Sequence, residues 1–139
     1  MSITTTFRAV APAASAGLAL AIMMSVTAVP KAMAGEVISS GKFYGQSAHV
    51  TTGQVTIERE GDKVFVILGD DFSLDGAPAP TLGFGNGEKF DTKTEFTKLK
   101  KLNGRQVYEL PKSIALKAYD TFTVWCSKFG VPLGSAKLS

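Results

Sequence analysis

Few residues of this chain are suited to chemistry, and the first of them is a single cysteine. Cys126 is the only cysteine among the 139 residues, and it directly follows the only tryptophan, Trp125. His49 is the only histidine. A thiol can be oxidised, can form a disulfide with another chain, or can bind a metal as the thiolate. The chemistry open to this chain therefore depends on where Cys126 and His49 lie.

The same inventory excludes several kinds of site. A structural zinc site needs about four Cys, His or carboxylate ligands, and a blue-copper site needs two histidines beside its cysteine. One cysteine and one histidine cannot supply either. The sequence also lacks the Cys-x-x-Cys motif of dithiol exchange and the nucleophile elbow of hydrolases, so no catalytic residues are assigned. Asp70, Asp71 and Asp75 lack the spacing of a calcium loop, and we expect a solvated turn there.

Three interpretations of Cys126 follow from its context. The thiol is a small buried core residue, or a redox centre or single ligand of a cofactor such as haem, or one half of an intermolecular disulfide. The alternation in "TFTVWC" places Cys126 on the same face as Phe122 and Val124. An inward cysteine disfavours the disulfide. The sequence itself requires no cofactor.

Side-chain alternation also gives an orientation for Trp125 and His49. Trp125 falls on the face opposite Cys126, where it either covers the second side of a sheet or lies half-exposed. In "HVTTGQVTI", the same counting puts His49 on the face of Val55 and Ile57, provided that Gly53 does not form a bulge. His49 and Cys126 are therefore both predicted to point inward from separate strands.

The elements that carry these residues are predicted to be short strands. Apolar, β-branched or alternating runs predict strands at residues 47–58, 63–68, 120–126 and 131–138. The stretch from 74 to 87 is rich in Gly and Pro, which predicts a loop with at most a short strand around Leu82 to Phe84. Asn103-Gly104 predicts a β-hairpin, and residues 111–119 predict about one helical turn. The fold class is all-β, a small antiparallel β-sandwich or barrel.

The amino-terminal residues predict export. Residues 1–34 contain a nearly uncharged run followed by Ala32-Met33-Ala34, which is typical of a secretory signal peptide cleaved before Gly35. An uncleaved anchor over residues 9–29 is the alternative. Removal of Arg8 and Lys31 from the 15 Lys and Arg leaves 13 against 12 Asp and Glu. We therefore expect one periplasmic or secreted domain, residues 35–139, that binds neither nucleic acid nor, after cleavage, membrane. Its oligomeric state is not indicated.

Four stretches resemble, in order and spacing, the electron-transfer DM-thirteen domain family. They are "GKFYGQSAHVTTGQVTI", "DDFSLDGAPAPTLGFG", "GRQVYELP" and "YDTFTVWCSKFGVPLGSAKL", and together they span about residues 40–138. That family is a β-rich extracellular module, sometimes found beside haem-binding or sugar-binding DOMON domains. The resemblance implies that Cys126 is the family's signature cysteine, that His49 is its early histidine, and that a redox partner protein exists. Related bacterial sequences tend to read Ala-Pro-Asp-Pro where this chain has Ala77-Pro78-Ala79-Pro80.

Two functions are consistent with these observations. The first is electron transfer by an exported β-domain, with Cys126 as the redox centre or single cofactor ligand and His49 as its neighbour. The alternative is a non-catalytic secreted binding or adhesion module, in which Cys126 is a buried core residue. In that case the contact surface consists of Trp125 and the Gly/Pro-rich segment 75–87, which includes Leu82 and Phe84.

Overall fold

The computed structural model describes residues 35–139, which consist of strands, turns and two short 3-10 helices at Thr92–Thr94 and Leu116–Ala118. Many of these residues alternate between apolar and polar side chains, a pattern that places one face of each strand against a core. The strands are β1 (Glu36–Gly45), β2 (Thr51–Thr52), β3 (Gln54–Glu60), β4 (Lys63–Leu68), β5 (Ser73–Leu74), β6 (Pro80–Asn86), β7 (Lys89–Phe90), β8 (Thr97–Lys98), β9 (Gln106–Glu109), β10 (Thr121–Cys126) and β11 (Val131–Lys137).

Nine of these strands form one antiparallel sheet that curls into a half-barrel. The order of strands is β7, β6, β10, β11, β1, β3, β4 and β9, and β8 also pairs with β6. β1 is long enough to pair with β11 at one end and with β3 along the rest of its length. β2 and β5 pair separately. The prediction of an all-β antiparallel fold is confirmed.

The concave face of the sheet holds the hydrophobic core. Phe122 lies at its centre, with its ring centroid 5.3 Å from that of Phe84 and 6.0 Å from that of Phe43, both in edge-to-face geometry. Burying one such side chain contributes about 1.5–3 kcal/mol, so the core dominates the stability. The fully enclosed members come from the central strands and from the β4–β5 connection: Val55, Ile57, Val66, Leu68, Phe72, Leu82, Phe84, Phe122, Val124 and Leu133.

The convex face of β10 is covered as well. The Phe90 ring stacks on Trp125 with 4.4 Å between ring centroids and 17° between planes. Gly83 lies beneath Phe90, because a Cβ at position 83 would lie 2.7 Å from that ring. The hydroxyls of Thr123 and Ser135 are hydrogen bonded to each other. Strand β10 is therefore enclosed on both faces, which explains why five of its six residues are buried.

Several predicted elements match the structure. Strands occupy 63–68, 121–126 and 131–137, and Gly61 adopts a left-handed φ of 61° in the tight turn that joins β3 to β4. The predicted helical turn is the 3-10 helix at Leu116–Ala118. The length of the strand in the Gly/Pro-rich stretch was underestimated, because Leu82 and Phe84 belong to the seven-residue strand β6. Pairing with β10 stabilises this strand despite its glycines.

The hairpin predicted at Asn103-Gly104 is wrong. β8 pairs with β6 and β9 pairs with β4, so the strands on either side of this dipeptide do not pair with each other. Asn103 instead forms an isolated bridge with Ser73, and the Gly104 N–H donates to the Phe72 carbonyl. Long-range pairing has overridden the local turn preference.

The basic run at residues 98–101 is tied down by its main chain. The buried Gln106 side chain accepts from the Lys101 N–H and donates to the Lys101 carbonyl, and the Lys100 N–H donates to the Tyr108 hydroxyl. Burial raises the pKa of Tyr108, so it remains a neutral partner near neutral pH. These bonds hold the lysine side chains at the surface.

The predicted signal peptide and the alternative anchor lie outside the described residues. Among residues 35–139, no helix has the length and apolar character needed to cross a membrane. The described residues share one hydrophobic cluster.

Candidate functional site

Cys126 lies at the carboxyl end of β10 and faces the core, as the alternation predicts. Only 1% of the residue is exposed, and its neighbours on the same face are Phe122 and Val124. The Sγ atom lies 3.1 Å from the carbonyl oxygen of Pro78, to which the thiol donates a hydrogen bond. Only the protonated thiol can make this bond, because a thiolate has no proton to donate. Cys126 is therefore a free, buried thiol.

The thiol is covered by residues 75–79, which we call the cover segment. Pro78 and Ala79 are themselves exposed to solvent. The Ala79 carbonyl accepts hydrogen bonds from the Ser127 N–H at 3.3 Å and from the Ser127 hydroxyl at 3.1 Å. Ala79 has a φ of 50°, in the left-handed region that costs a non-glycine residue free energy. The backbone that accepts the hydrogen bond of the thiol is therefore at the surface, and it is strained at Ala79.

His49 does not face the core, which corrects the prediction from alternation. It lies in a turn before β2, its side chain is 28% exposed, and its Nδ1 atom is 2.9 Å from Oδ1 of Asp75. The prediction assumed a regular strand through Gly53, but Gly53 has a φ of 100° and separates β2 from β3. Ser47 and Ala48 also have left-handed φ values, of 53° and 61°. The alternation therefore cannot be counted back to residue 49.

Asp75 is the first residue of the cover segment, and hydrogen bonds to Val50 hold it in place. Its Oδ2 atom accepts from the Val50 N–H at 3.0 Å, while the Asp75 N–H donates to the Val50 carbonyl at 3.1 Å. The Val50 N–H and then the His49 ring lower the pKa of Asp75 below its ordinary value. His49 and Cys126 thus bind the same segment, His49 at residue 75 and Cys126 at residue 78, without a hydrogen bond between them.

A second aspartate of this region also binds the main chain. Asp71 accepts from the Gln54 N–H at 3.1 Å. Between residues 35 and 139, no three Cys, His, Asp or Glu side chains are grouped so that they could hold a metal ion. Asp70 and Asp71 lie exposed in the turn after β4.

The surface predicted for a binding module is wrong at Leu82 and Phe84. Leu82 and Phe84 are both fully buried, since their side chains point from β6 into the core. Trp125 is half-buried on the opposite face and stacks on Phe90, so it covers the second side of the sheet. Leu82 and Phe84 cannot contact a partner without unfolding β6.

Comparison with known families agrees with the sequence resemblance. Residues 42–138 match the family model described as "Electron transfer DM13". The chain belongs to this family. It has no significant match among curated proteins or among solved structures. The matched range of the DM13 domain includes Cys126, His49 and the whole cover segment.

Three exposed apolar residues border the cover segment of the DM13 domain, and sequence reasoning missed them. Val50 (63% exposed) bonds Asp75, Leu102 (43%) lies beside Gly76, and Phe129 (65%) is in the turn that begins at Ser127. Only five large apolar residues are exposed in the described part of the chain, and the other two lie on β1. No local pattern predicts this grouping, because the three residues come from separate turns.

The surroundings of Cys126 do not fit a haem. Sγ is buried against the core and against the carbonyl of Pro78. An axial ligand needs open space on the metal side of its donor atom.

Proposed function

We propose that this DM13 domain is an exported electron-transfer module in which Cys126 is the redox centre. The observation that carries the proposal is the position of the thiol, buried at the end of β10 beneath one exposed, strained segment of backbone. Residues 1–34 are the signal peptide in this proposal, and the mature domain begins at Gly35. Family membership supports a redox role.

A lone cysteine can carry two electrons through its sulfenic acid. A peroxide transfers one oxygen atom to the sulfur of Cys126, which is oxidised by two electrons to the sulfenic acid. The peroxide is reduced to an alcohol or to water. A partner dithiol then takes up the oxidising equivalents. One partner sulfur attacks Sγ and releases water, and the second resolves the mixed disulfide, so Cys126 returns to the thiol and the partner becomes a disulfide. Neither step needs a second cysteine in this chain.

The cover segment controls access to the sulfur. Opening requires the loss of the Sγ–Pro78 bond and the release of Ala79 from Ser127. The His49–Asp75 pair resists opening at the other end of the segment. His49 therefore acts as a positioning residue and has no direct contact with the reacting sulfur.

The partner is expected to dock around the cover segment. Val50, Leu102 and Phe129 form an apolar border, and Lys128 lies with its Nζ atom 5.7 Å from the centroid of the Phe129 ring. The basic run at residues 98–101 begins at the last residue of β8, and the Leu99 N–H within it donates to the Pro80 carbonyl. Apolar contacts with a flanking basic rim are complementary to a dithiol protein with an apolar centre and acidic edges.

The test uses protein purified from the exporting cell after expression of the full chain. Hydrogen peroxide is added to the native protein, and intact mass and a sulfenic-acid-specific label are followed before and after addition of dithiothreitol. We expect one oxygen atom on Cys126 without denaturant, reversal by the dithiol, and no reaction in Cys126→Ser. Amino-terminal sequencing should give Gly35 as the first residue.

The oxidation rates of two variants distinguish a redox role of Cys126 from a purely structural one. His49→Gln removes one exposed charge-assisted hydrogen bond and should raise the oxidation rate roughly twofold to tenfold. Lys112→Gln is the matched control, because it breaks the exposed pair with Asp62 at 3.1 Å elsewhere on the surface. A thiol that reacts only in denaturant, at the same rate in both variants, would make Cys126 a core residue and overturn the proposal.

A further inference from the structure

A second concave site lies at the end of the half-barrel opposite Cys126. Cys126 pairs with Pro80 and Val131, whereas Thr121, at the other end of β10, pairs with Gly85 and Lys137. A cleft of about 340 Å³ opens at this far end, between the β3–β4 turn and residues 110–117. That volume is within the range of small-molecule sites, and barrel mouths are a common place for them.

The cleft has an apolar floor and a basic rim. Val64, Leu110, Ile114 and Leu116 line it, and each packs on the hydrophobic core. The charged lining residues are Arg59, Lys112, Lys117 and Asp62. Three cations and one carboxylate give the rim a net positive charge.

The only carboxylate of the rim is already engaged. Asp62 accepts from Nζ of Lys112 at 3.1 Å. Arg59 and Lys117 have no ion-pair or side-chain hydrogen-bond partner among residues 35–139. A guanidinium offers a planar pair of donors that matches a carboxylate, and its unpaired position beside an apolar floor favours a ligand with both features.

The neighbouring cleft is less suited to an anion. It shares Arg59, Leu116 and Lys117 with the first, but it is also lined by Asp120 and by Ser139. Hydrogen bonds from Thr121 and from the Gly87 N–H keep the pKa of Asp120 below its ordinary value, so this carboxylate stays ionised. The first cleft is therefore the better anion site.

We propose that the cleft between Arg59 and Leu116 binds a small amphipathic carboxylate, such as a medium-chain fatty acid. The carboxylate pairs with Arg59, assisted by Lys117, and the alkyl chain lies on Val64, Ile114 and Leu116. This site is independent of the redox proposal, because it shares no residue with the cover segment or with Cys126.

The experiment titrates the exported protein with octanoate and, separately, with octanol, following backbone amide shifts by NMR. We expect octanoate to shift the amides of Val64 and Leu116 and to bind more tightly than octanol. Arg59→Gln should weaken octanoate binding roughly tenfold to a hundredfold, the effect of losing a charge-assisted bidentate contact. Arg105→Gln is the matched control, since Arg105 is exposed and lies outside this cleft.

Three results would overturn the proposal. An affinity for octanol equal to that for octanoate would make the cleft merely apolar. Arg59→Gln and Arg105→Gln could weaken binding equally, which would indicate a general charge effect. Shifts of other amides alone would place the ligand elsewhere. None of these results affects the chemistry of Cys126, so the failure of this inference and the failure of the proposed function are distinguishable.

Discussion

At the scale of single residues, Cys126 is a buried core residue and the proposed redox centre, and mutation separates these two roles. Cys126→Ala removes one buried sulfur next to Val124 and should lower the free energy of unfolding by about 1 kcal/mol. It should also abolish the reversible oxidation. Urea unfolding measures the first effect and intact mass the second. A loss of several kcal/mol would mean that the sulfur packs more tightly than the structure indicates.

Asp75 gives a prediction that depends on pH. Its pKa is lowered in the folded protein, first by the Val50 N–H and then by His49. A lowered folded pKa means that the ionised carboxylate stabilises the fold above the ordinary pKa of 3.8, and that this contribution is lost as the pH falls through the lower folded value. The Val50 amide shift should therefore titrate with a midpoint below 3.8. In His49→Gln that midpoint should rise. A wild-type midpoint at or above the ordinary value would contradict the hydrogen bond.

The sequence predicted the orientation of Cys126 but not that of His49, and the difference is physical. Cys126 ends an uninterrupted run of extended residues, so counting in twos from Phe122 gives the correct face. His49 is separated from Val55 by Gly53 and follows two residues with left-handed backbone. Nothing in the residue types at 47 and 48, Ser and Ala, indicates that conformation.

At the scale of elements, the cover segment stores backbone strain at Ala79. An alanine with φ near 50° is less favourable than glycine by about 1 kcal/mol. Glycine is opposed by its larger gain of conformational entropy on unfolding, so the replacement stabilises the fold only where no side-chain contact is lost. Ala79 is exposed, so Ala79→Gly should raise the free energy of unfolding by up to about 1 kcal/mol. Ala77→Gly is the control and should lower it. Equal destabilisation in both variants would argue against the strain.

The same position bears on the Ala-Pro-Asp-Pro pattern that the sequence resemblance implies for this stretch. Aspartate tolerates left-handed backbone better than alanine, so an aspartate at position 79 would suit the turn without any contact to a ligand. Ala79→Asp should therefore match or exceed the wild type in stability. On this interpretation, alanine in place of aspartate at position 79 changes the backbone preference of the cover segment and not a contact with a ligand.

Element pairing was only partly predictable from the sequence. Strands with β-branched runs, such as β4, were found because their residues suit a pleated surface in any context. Strand β6 was underestimated because its glycines, Gly83 and Gly85, suggest a loop; in the structure they make room for Phe90 and for the main chain of Lys89. Which strands pair depends on the whole sheet, and the sequence around Asn103-Gly104 does not contain that information.

At the scale of the whole molecule, the half-barrel holds its two proposed sites at opposite ends of β10. The thiol and its cover lie at one end, and the Arg59 cleft at the other. The core between them is built from enclosed aromatic and branched side chains, which unfold together. Of the apolar residues that pack against this core, the cover segment contributes Ala77, so local opening costs little apolar burial while the core stays folded.

This separation leads to a prediction about how Cys126 becomes reactive. If the cover opens locally, the rate of Cys126 labelling in the native protein depends on the contacts of residues 75–79 and not on the global free energy of unfolding. Ile57→Val removes one buried methylene group of β3 and should lower global stability by about 1 kcal/mol. It should speed hydrogen exchange of core amides such as Val124 while leaving the labelling rate unchanged.

His49→Gln should show the opposite behaviour, with faster labelling and little change in the exchange of the Val124 amide. Labelling rates measured at increasing sub-denaturing urea should also change little, because local opening exposes little surface. Labelling that accelerates in Ile57→Val in step with core exchange would mean that the sulfur is reached only through global unfolding. In that case the cover segment would not act as an entrance, and Cys126 would serve the core alone.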